Sequence, residues 1–239
     1  MAILERRDKN AVAYLTLNLP KRLNALSDEM LDALQTTFDS FHTDKSVRAI
    51  VLAGAGKAFC AGHDLKQMTE ARKQPDGGAA LFKNLFDRCA DFMQTVQAVP
   101  QPVIAQVHGI ATAAGCQLVA TCDLAVASQE TKFGVNGVNI GLFCSTPMVA
   151  LSRNIHRKKA FEMLVTGEFM GAEEAKVAGL INRVVPESEL LSSTISLAEV
   201  ITSKLGSAVT TGKKAFYKQI QLPTNCLLYT SDAADDPAS

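Results

Sequence analysis

The spacing of apolar and polar residues changes several times along the chain. Residues 3–8 and 12–17 read as two strands around a tight turn, and Tyr14-Leu15-Thr16-Leu17 alternates apolar with polar. Asn18-Leu19-Pro20 breaks the second strand. The period then becomes helical, with Met30, Leu31, Leu34, Phe38 and Phe41 on one face. Ser27 stands where it can cap that helix, and Asp28 and Glu29 suit its positive end. Residues 47–52 are a nearly unbroken apolar strand ended by Gly54-Ala55-Gly56. Residues 57–66 read as a loop entering a short helix, and the polar, glycine-rich 71–78 as a mobile loop. The pattern predicts a helix over Ala79–Ala98, with Leu81, Leu85, Cys89 and Phe92 on one face. Strands at 102–107 and 123–128 bracket another helix. Residues 132–147 carry no period and read as irregular. Helices follow at 146–152, 157–165 and 172–178, the last ended by Gly179. A strand at 181–185, closed by Pro186, and helices at 187–205 and 207–220 complete the pattern.

This alternation places the chain in the α/β class with a largely parallel sheet. The strands near 12, 47 and 102 recur at roughly 45–55 residues, which suggests repeated strand-strand-helix units. Residues 1–222 form one domain, a core over 1–185 and C-terminal helices over 187–222. Residues 223–239 lack any amphipathic pattern, and their small and acidic end predicts a disordered, aberrant tail.

Composition narrows the function classes. The 239 residues are 47% hydrophobic and 20% charged, within the range of globular proteins. Lys+Arg and Asp+Glu both number 24. Zero net charge argues against broad nucleic-acid binding and supplies no basic face for a membrane. No apolar run is long enough to span a bilayer, and no presequence or signal core precedes the first strand. Cys60, Cys89, Cys116, Cys122, Cys144 and Cys226 are scattered without a Cys-x-x-Cys pair. They read as reduced thiols of an intracellular protein, and no metal site is expected. The expected location is cytoplasmic.

The candidate chemistry centres on residues 108–123. Behind the strand at 102–107, His108-Gly109 turns the chain into a helix that opens with Ala113-Ala114-Gly115. Small residues there leave the free N–H groups of the first turn uncovered. The helix dipole makes that corner a home for a negative oxygen. Close packing of the helix against a neighbouring backbone would require the same small residues.

Three stretches resemble the crotonase (enoyl-CoA hydratase/isomerase) superfamily. They are Asn18-Leu19-Pro20-Lys21-Arg22-Leu23-Asn24-Ala25-Leu26, Ala58-Phe59-Cys60-Ala61-Gly62-His63-Asp64-Leu65-Lys66, and the corner through Asp123. Thr166-Gly167 with Ala172-Glu173-Glu174-Ala175-Lys176-Val177-Ala178-Gly179-Leu180-Ile181 resembles the superfamily's C-terminal segment. The resemblance implies a spiral of strand-strand-helix units with a C-terminal helical segment, assembled as a homotrimer or a dimer of trimers. The aberrant C-terminus is expected to weaken that assembly. It implies an acyl-CoA ligand, with no other cofactor, whose thioester oxygen lies between the backbone N–H groups of His63 and Ala114. It also places Lys21, Arg22, Ala61, Asp64, Leu65 and Lys66 along coenzyme A. Gln117, Asn136, Gly137, Phe143 and Cys144 would line the acyl pocket. Animal relatives with presequences make the mitochondrial matrix the alternative location.

The superfamily's acidic positions fall on Gln117, Gly137 and Ser145, none of which is a carboxylate. Proton transfer needs a titrating group within hydrogen-bond reach, so little hydratase activity is expected. Three readings stay open: an acyl-CoA lyase, isomerase or hydrolase using an unassigned base, a silent acyl-CoA binder, and a scaffold without a ligand.

Overall fold

A computed structural model describes residues 2–222. The tail at 223–239, with Cys226, lies outside the described residues. Strands β1 (Leu4–Lys9) and β2 (Val12–Leu17) form an antiparallel hairpin. Asn10 and Ala11 turn it with φ of 53° and 61°, the left-handed pair that matches strand twist. Then come α1 (Asp28–Ser40), β3 (Ala49–Gly54), α2 (Leu65–Ala71), α3 (Ala79–Ala98), β4 (Val103–Val107), β5 (Ile110–Thr112) and α4 (Ala114–Thr121). They are followed by β6 (Leu124–Ser128), β7 (Lys132–Gly134), α5 (Ser145–Asn154), α6 (Arg157–Thr166), β8 (Met170–Gly171) and α7 (Ala172–Ala178). Strand β9 (Arg183–Val185), α8 (Leu190–Thr202) and α9 (Gly206–Gln219) end the described chain. No described helix is long and apolar enough to cross a membrane.

The main sheet has the order β1-β2-β3-β4-β6-β9 and is parallel from β2 onward. Its central strands β3, β4 and β6 are buried on both faces. Ile50, Leu52, Val103, Ala105, Ala125 and Ala127 face the larger core with α1, α3 and α4. Ala49, Val51, Ile104 and Val126 face Leu190 and Ala198 of α8. Two buried faces explain the unbroken apolar runs, since alternation survives only where one face meets water. On the larger side Phe38 meets Phe41 and Phe92 edge to face, with centroids 5.8 and 5.3 Å apart. Ser27 caps α1 as expected, its hydroxyl accepting from Met30 N at 3.3 Å.

Three differences from the sequence reading concern short or one-sided elements. A second sheet, β5-β7-β8, includes residues read as irregular. Strands of two or three residues are too short to display a period. The rest of that stretch holds a 3-10 turn at Asn136–Ile140. In α3 Cys89 and Phe92 are buried and Leu85 packs partly buried against the core, whereas Leu81, one turn earlier, is 51% exposed.

Helix α9 is fastened by one buried cation. Lys213 Nζ lies 2.7 Å from Asp123 Oδ2 and donates to Gln101 O at 2.9 Å and Val96 O at 3.2 Å. The same carboxylate oxygen accepts from Val103 N at 2.6 Å. Burial pushes the Lys213 ammonium below its ordinary range, opposed by Asp123.

Candidate active site

Neighbouring parallel strands β3 and β4 each feed a segment leaving their carboxyl ends, the end of an α/β sheet where ligands gather. The first segment is fixed by Asn24, which the sequence reading quoted without a role. After the 3-10 turn at Pro20–Arg22, Leu23 and Asn24 adopt φ of 52° and 53°. Asn24 is fully buried. Its Nδ2 donates to Ala55 O and Ala58 O at 2.8 Å each, and its Oδ1 accepts from Leu19 N at 2.9 Å. An asparagine tolerates the left-handed region and bonds backbone on both sides. The segment at 59–62 then lies between two others. Ala61 N donates to Leu23 O at 3.0 Å, and Leu26 N to Gly62 O at 2.8 Å. Opposite, Cys60 N donates to Ile110 O at 3.2 Å and Thr112 N to Cys60 O at 3.0 Å.

The second segment enters α4, every residue of which is buried. Gly115 has no room for a side chain. A Cβ there would stand 2.2 Å from Cys60 O. Gly62, at φ +87°, rests on the same corner. Its Cβ would lie 3.0 Å from Thr112 O and 3.2 Å from Ala114 N. Close packing is therefore why the residues are small, and it sets His63, next after Gly62, beside the entrance of α4. Neither His63 N nor Ala114 N donates to a backbone carbonyl. Ala113, the residue before Ala114, has φ 51° and ψ −121°. That conformation belongs to glycine and costs an alanine on the order of 1–3 kcal/mol. It is held by Ala113 N donating to Gly134 O at 2.9 Å.

The side chains around the corner are neutral. Gln117 is one helical turn past Ala113, to whose carbonyl its N–H donates at 3.0 Å. It is 6% exposed, and its Oε1 is buried without a partner. Both ring nitrogens of His63 are also buried without a well-formed hydrogen bond, the Leu26 backbone being the polar group beside the ring. Burial pushes that imidazole below its ordinary value. Phe86 of α3 meets the ring edge to face at 5.6 Å. The Thr112 hydroxyl donates to Asn136 Oδ1 at 2.7 Å. Gly137 is buried, and a Cβ on it would stand 2.6 Å from Leu142 O and 2.9 Å from Cys144 Sγ. Burial raises the Cys144 thiol and drives those of Cys60 and Cys116 up to about 12. These thiols stay protonated at neutral pH and are poor nucleophiles. Ser145 and Phe143 are exposed, with Ser145 opening α5.

Residues 7–232 match the family model of enoyl-CoA hydratase/isomerase. The chain belongs to the enoyl-CoA hydratase/isomerase family. It is 44% identical over 214 residues to mitochondrial enoyl-CoA hydratase domain-containing protein 3 of Mus musculus, covering 90% of this chain and 70% of the relative. The Homo sapiens protein of that name is 42% identical over 228 residues, 95% of this chain and 74% of the relative. Among solved structures, an enoyl-CoA hydratase of Mycobacterium smegmatis superposes with a TM-score of 0.93 at 51% identity, covering 98% of this chain and 92% of that one. The human domain-containing protein 3 gives 0.91 at 40% identity, with 97% and 90% covered. The fold is the crotonase fold.

Within that fold, the positions implied for coenzyme A meet along one edge. Arg22 lies 2.5 Å from Asp64 Oδ2, and Asp64 caps α2 by accepting from Lys66 N at 2.9 Å. The Asp64 carboxylate is thus committed to its own helix and to Arg22. Leu65 is 54% exposed, and Lys21 and Lys66 stand in solvent. Ala61 is half-buried between Leu23 and the corner.

Proposed function

We propose that this chain binds acyl-CoA thioesters through the backbone N–H groups of His63 and Ala114 and turns over enoyl-CoA slowly or not at all. The observation that carries the binding is the corner itself. Gly62 and Gly115 let two backbone segments touch, Ala113 holds a glycine-like conformation, and two N–H groups lack carbonyl partners. Strain kept at a free donor pair is what a preorganised oxyanion site stores. Removing one donor of such a pair costs on the order of 3 kcal/mol of barrier.

Lys21, Arg22, Ala61, Asp64, Leu65 and Lys66 form the coenzyme A edge. The exposed Lys21 and Lys66 supply charge for phosphate oxygens and Arg22 adds a guanidinium. Gln117, Asn136, Gly137, Phe143 and Cys144 border the acyl group. Slow turnover follows from the same residues. An amide at 117 orients water or a carbonyl but cannot take up a proton, and 137 has no side chain. Burial keeps the Cys144 thiol protonated. Exposed Met148, Val149, Phe161 and Val165 on α5 and α6 support contact between copies of the chain, consistent with a homotrimer. The mitochondrial naming of the mouse and human relatives supports the matrix over the cytoplasm as its location.

The test is calorimetry with acetyl-CoA and free CoA beside a crotonyl-CoA hydration assay. Heat with acetyl-CoA and hydration near background are expected. Robust wild-type hydration overturns the slow-turnover half, and no heat with either ligand overturns the binding half.

A further inference from the structure

The end of the main sheet where β3 and β4 begin carries a cavity of about 520 Å³, within the range of small-molecule pockets. It lies between the loop at 41–48 and the first turns of α9, walled by Val47, Pro100, Ile201 and Val209. Its mouth is positive. Helix α9 begins with Leu205 at its N-cap, no capping side chain and no acidic residue in its first turn. The N–H groups of Gly206 and Ser207 are therefore free, and no acid of the helix itself offsets its dipole. Lys45 and Arg48 line the same mouth. Neither pairs with a carboxylate among the described residues. Arg48 donates to Lys204 O, which keeps its guanidinium beside Gly206. Asp44, the acid in the lining, is held by Arg6 at 2.8 Å and by Ser46 at 2.5 Å. The cavity wall makes a second demand through Gln101, which is 5% exposed. Its Nε2 donates to Phe41 O, Asp44 O and Val47 O at 3.0, 3.1 and 3.3 Å. The other end of the amide, Oε1, is buried without a partner. Buried carbonyls are seldom left so, and this one asks for an N–H or O–H.

We propose that this cavity binds a nucleoside monophosphate, with the phosphate at the start of α9 between Lys45 and Arg48 and a base N–H on Gln101. Two cations and a free helix N-terminus match the roughly two charges of a phosphate monoester at neutral pH. Inorganic phosphate or a fatty-acid carboxylate would leave the Gln101 carbonyl unpaired. A nucleoside without phosphate would leave the cations unmatched. Each nucleobase carries an N–H donor and a flat face, which suits walls of valine, proline and isoleucine. The site is separate from the corner at Gly62 and Gly115, because that corner leaves the opposite, carboxyl ends of β3 and β4. The proposal therefore stands independently of acyl-CoA binding.

The experiment is calorimetry of the full chain with UMP, 3-methyl-UMP, uridine and inorganic phosphate. UMP is the probe because its base has a single N–H, which the methyl group of 3-methyl-UMP removes. Wild type is expected to bind UMP about tenfold more tightly than 3-methyl-UMP or inorganic phosphate, and uridine more weakly still. Lys45→Met is expected to weaken UMP by about three- to tenfold. Lys45 is exposed, so that change leaves the fold intact. Val209→Trp fills the cavity and is expected to abolish UMP binding, with a thermal melt confirming that the variant is folded. UMP affinity unchanged by both substitutions places the nucleotide elsewhere, the coenzyme A edge included, and overturns the proposal. Equal affinity for UMP and inorganic phosphate reduces the cavity to an anion site and overturns the nucleotide reading. Equal affinity for UMP and 3-methyl-UMP removes Gln101 as the reader of the base. No heat with UMP overturns the proposal outright.

Discussion

Replacing Gly115 by alanine pits two effects of opposite sign. In a helix interior alanine is better than glycine by up to about 1 kcal/mol, so propensity alone predicts stabilisation. The packing predicts the reverse. The new Cβ would stand 2.2 Å from Cys60 O, against an ordinary contact of at least 3.4 Å. The segments must part by the difference of about 1.2 Å, and the obstacle is backbone that cannot rotate away. Overpacking of this kind costs about 1–3 kcal/mol. Parting also strains the bond from Thr112 N to Cys60 O, 3.0 Å long, worth about 1 kcal/mol. The net expectation for Gly115→Ala is a loss of about 1–3 kcal/mol, which for 2 kcal/mol lowers Tm by roughly 4–8 °C in a chain of this size. Gly212→Ala is the control. It lies inside α9 with nothing within 4 Å of its Cβ position, so it should raise stability by up to about 1 kcal/mol. Thermal melts give the two signs, and calorimetry with acetyl-CoA should find binding weakened in Gly115→Ala only. If both substitutions stabilise, the corner is looser than described and the argument for touching segments fails.

Gly137→Glu is expected to destabilise by about 1–3 kcal/mol in urea denaturation, because its Cβ meets Leu142 O at 2.6 Å and Cys144 Sγ at 2.9 Å. Restoring acidic side chains should therefore begin with Gln117→Glu alone, read by crotonyl-CoA hydration. Lys213→Met leaves Asp123 and two carbonyls without their cation and should cost about 3–5 kcal/mol in the same denaturation assay. A loss under 1 kcal/mol would mean the pair is not closed in solution. For pH, Ser46 first and then Arg6 hold the Asp44 carboxyl at about 2, below its unfolded value of 3.8. A depressed folded value means the stabilisation is complete above pH 3.8 and fades as pH falls toward 2. Asp44→Asn should flatten stability in that window, and an unchanged profile would refute the assignment.

The residues that recur at helical spacing were legible from sequence alone: Met30, Leu34, Phe38 and Phe41 are all fully buried. The parallel sheet was legible for the same reason, through its two-faced apolar strands. What escaped was what period cannot encode. Strands β5, β7 and β8 are two or three residues long. Asn24 and Lys213 work through single buried bonds to distant backbone, and such contacts leave no local pattern. Ala113 hides its conformation, since alanine ordinarily avoids positive φ. The small residues at the start of α4 were legible as either an anion corner or a packing surface. The two are one arrangement, in which packing positions the free donors.

The Lys213 clamp also has a kinetic side. Its bonds to Val96 and Asp123 join residues 117 and 90 positions apart in sequence. Closing loops of that length is entropically expensive, and contacts of such separation slow folding. Docking of α9 should thus come after the sheet has formed, and its undocking should be an early, sub-global opening of the native protein. Amide hydrogens of α9 would then exchange at a lower opening free energy than those of β3 and β4. The Lys213→Met change should widen that gap while leaving the central strands protected.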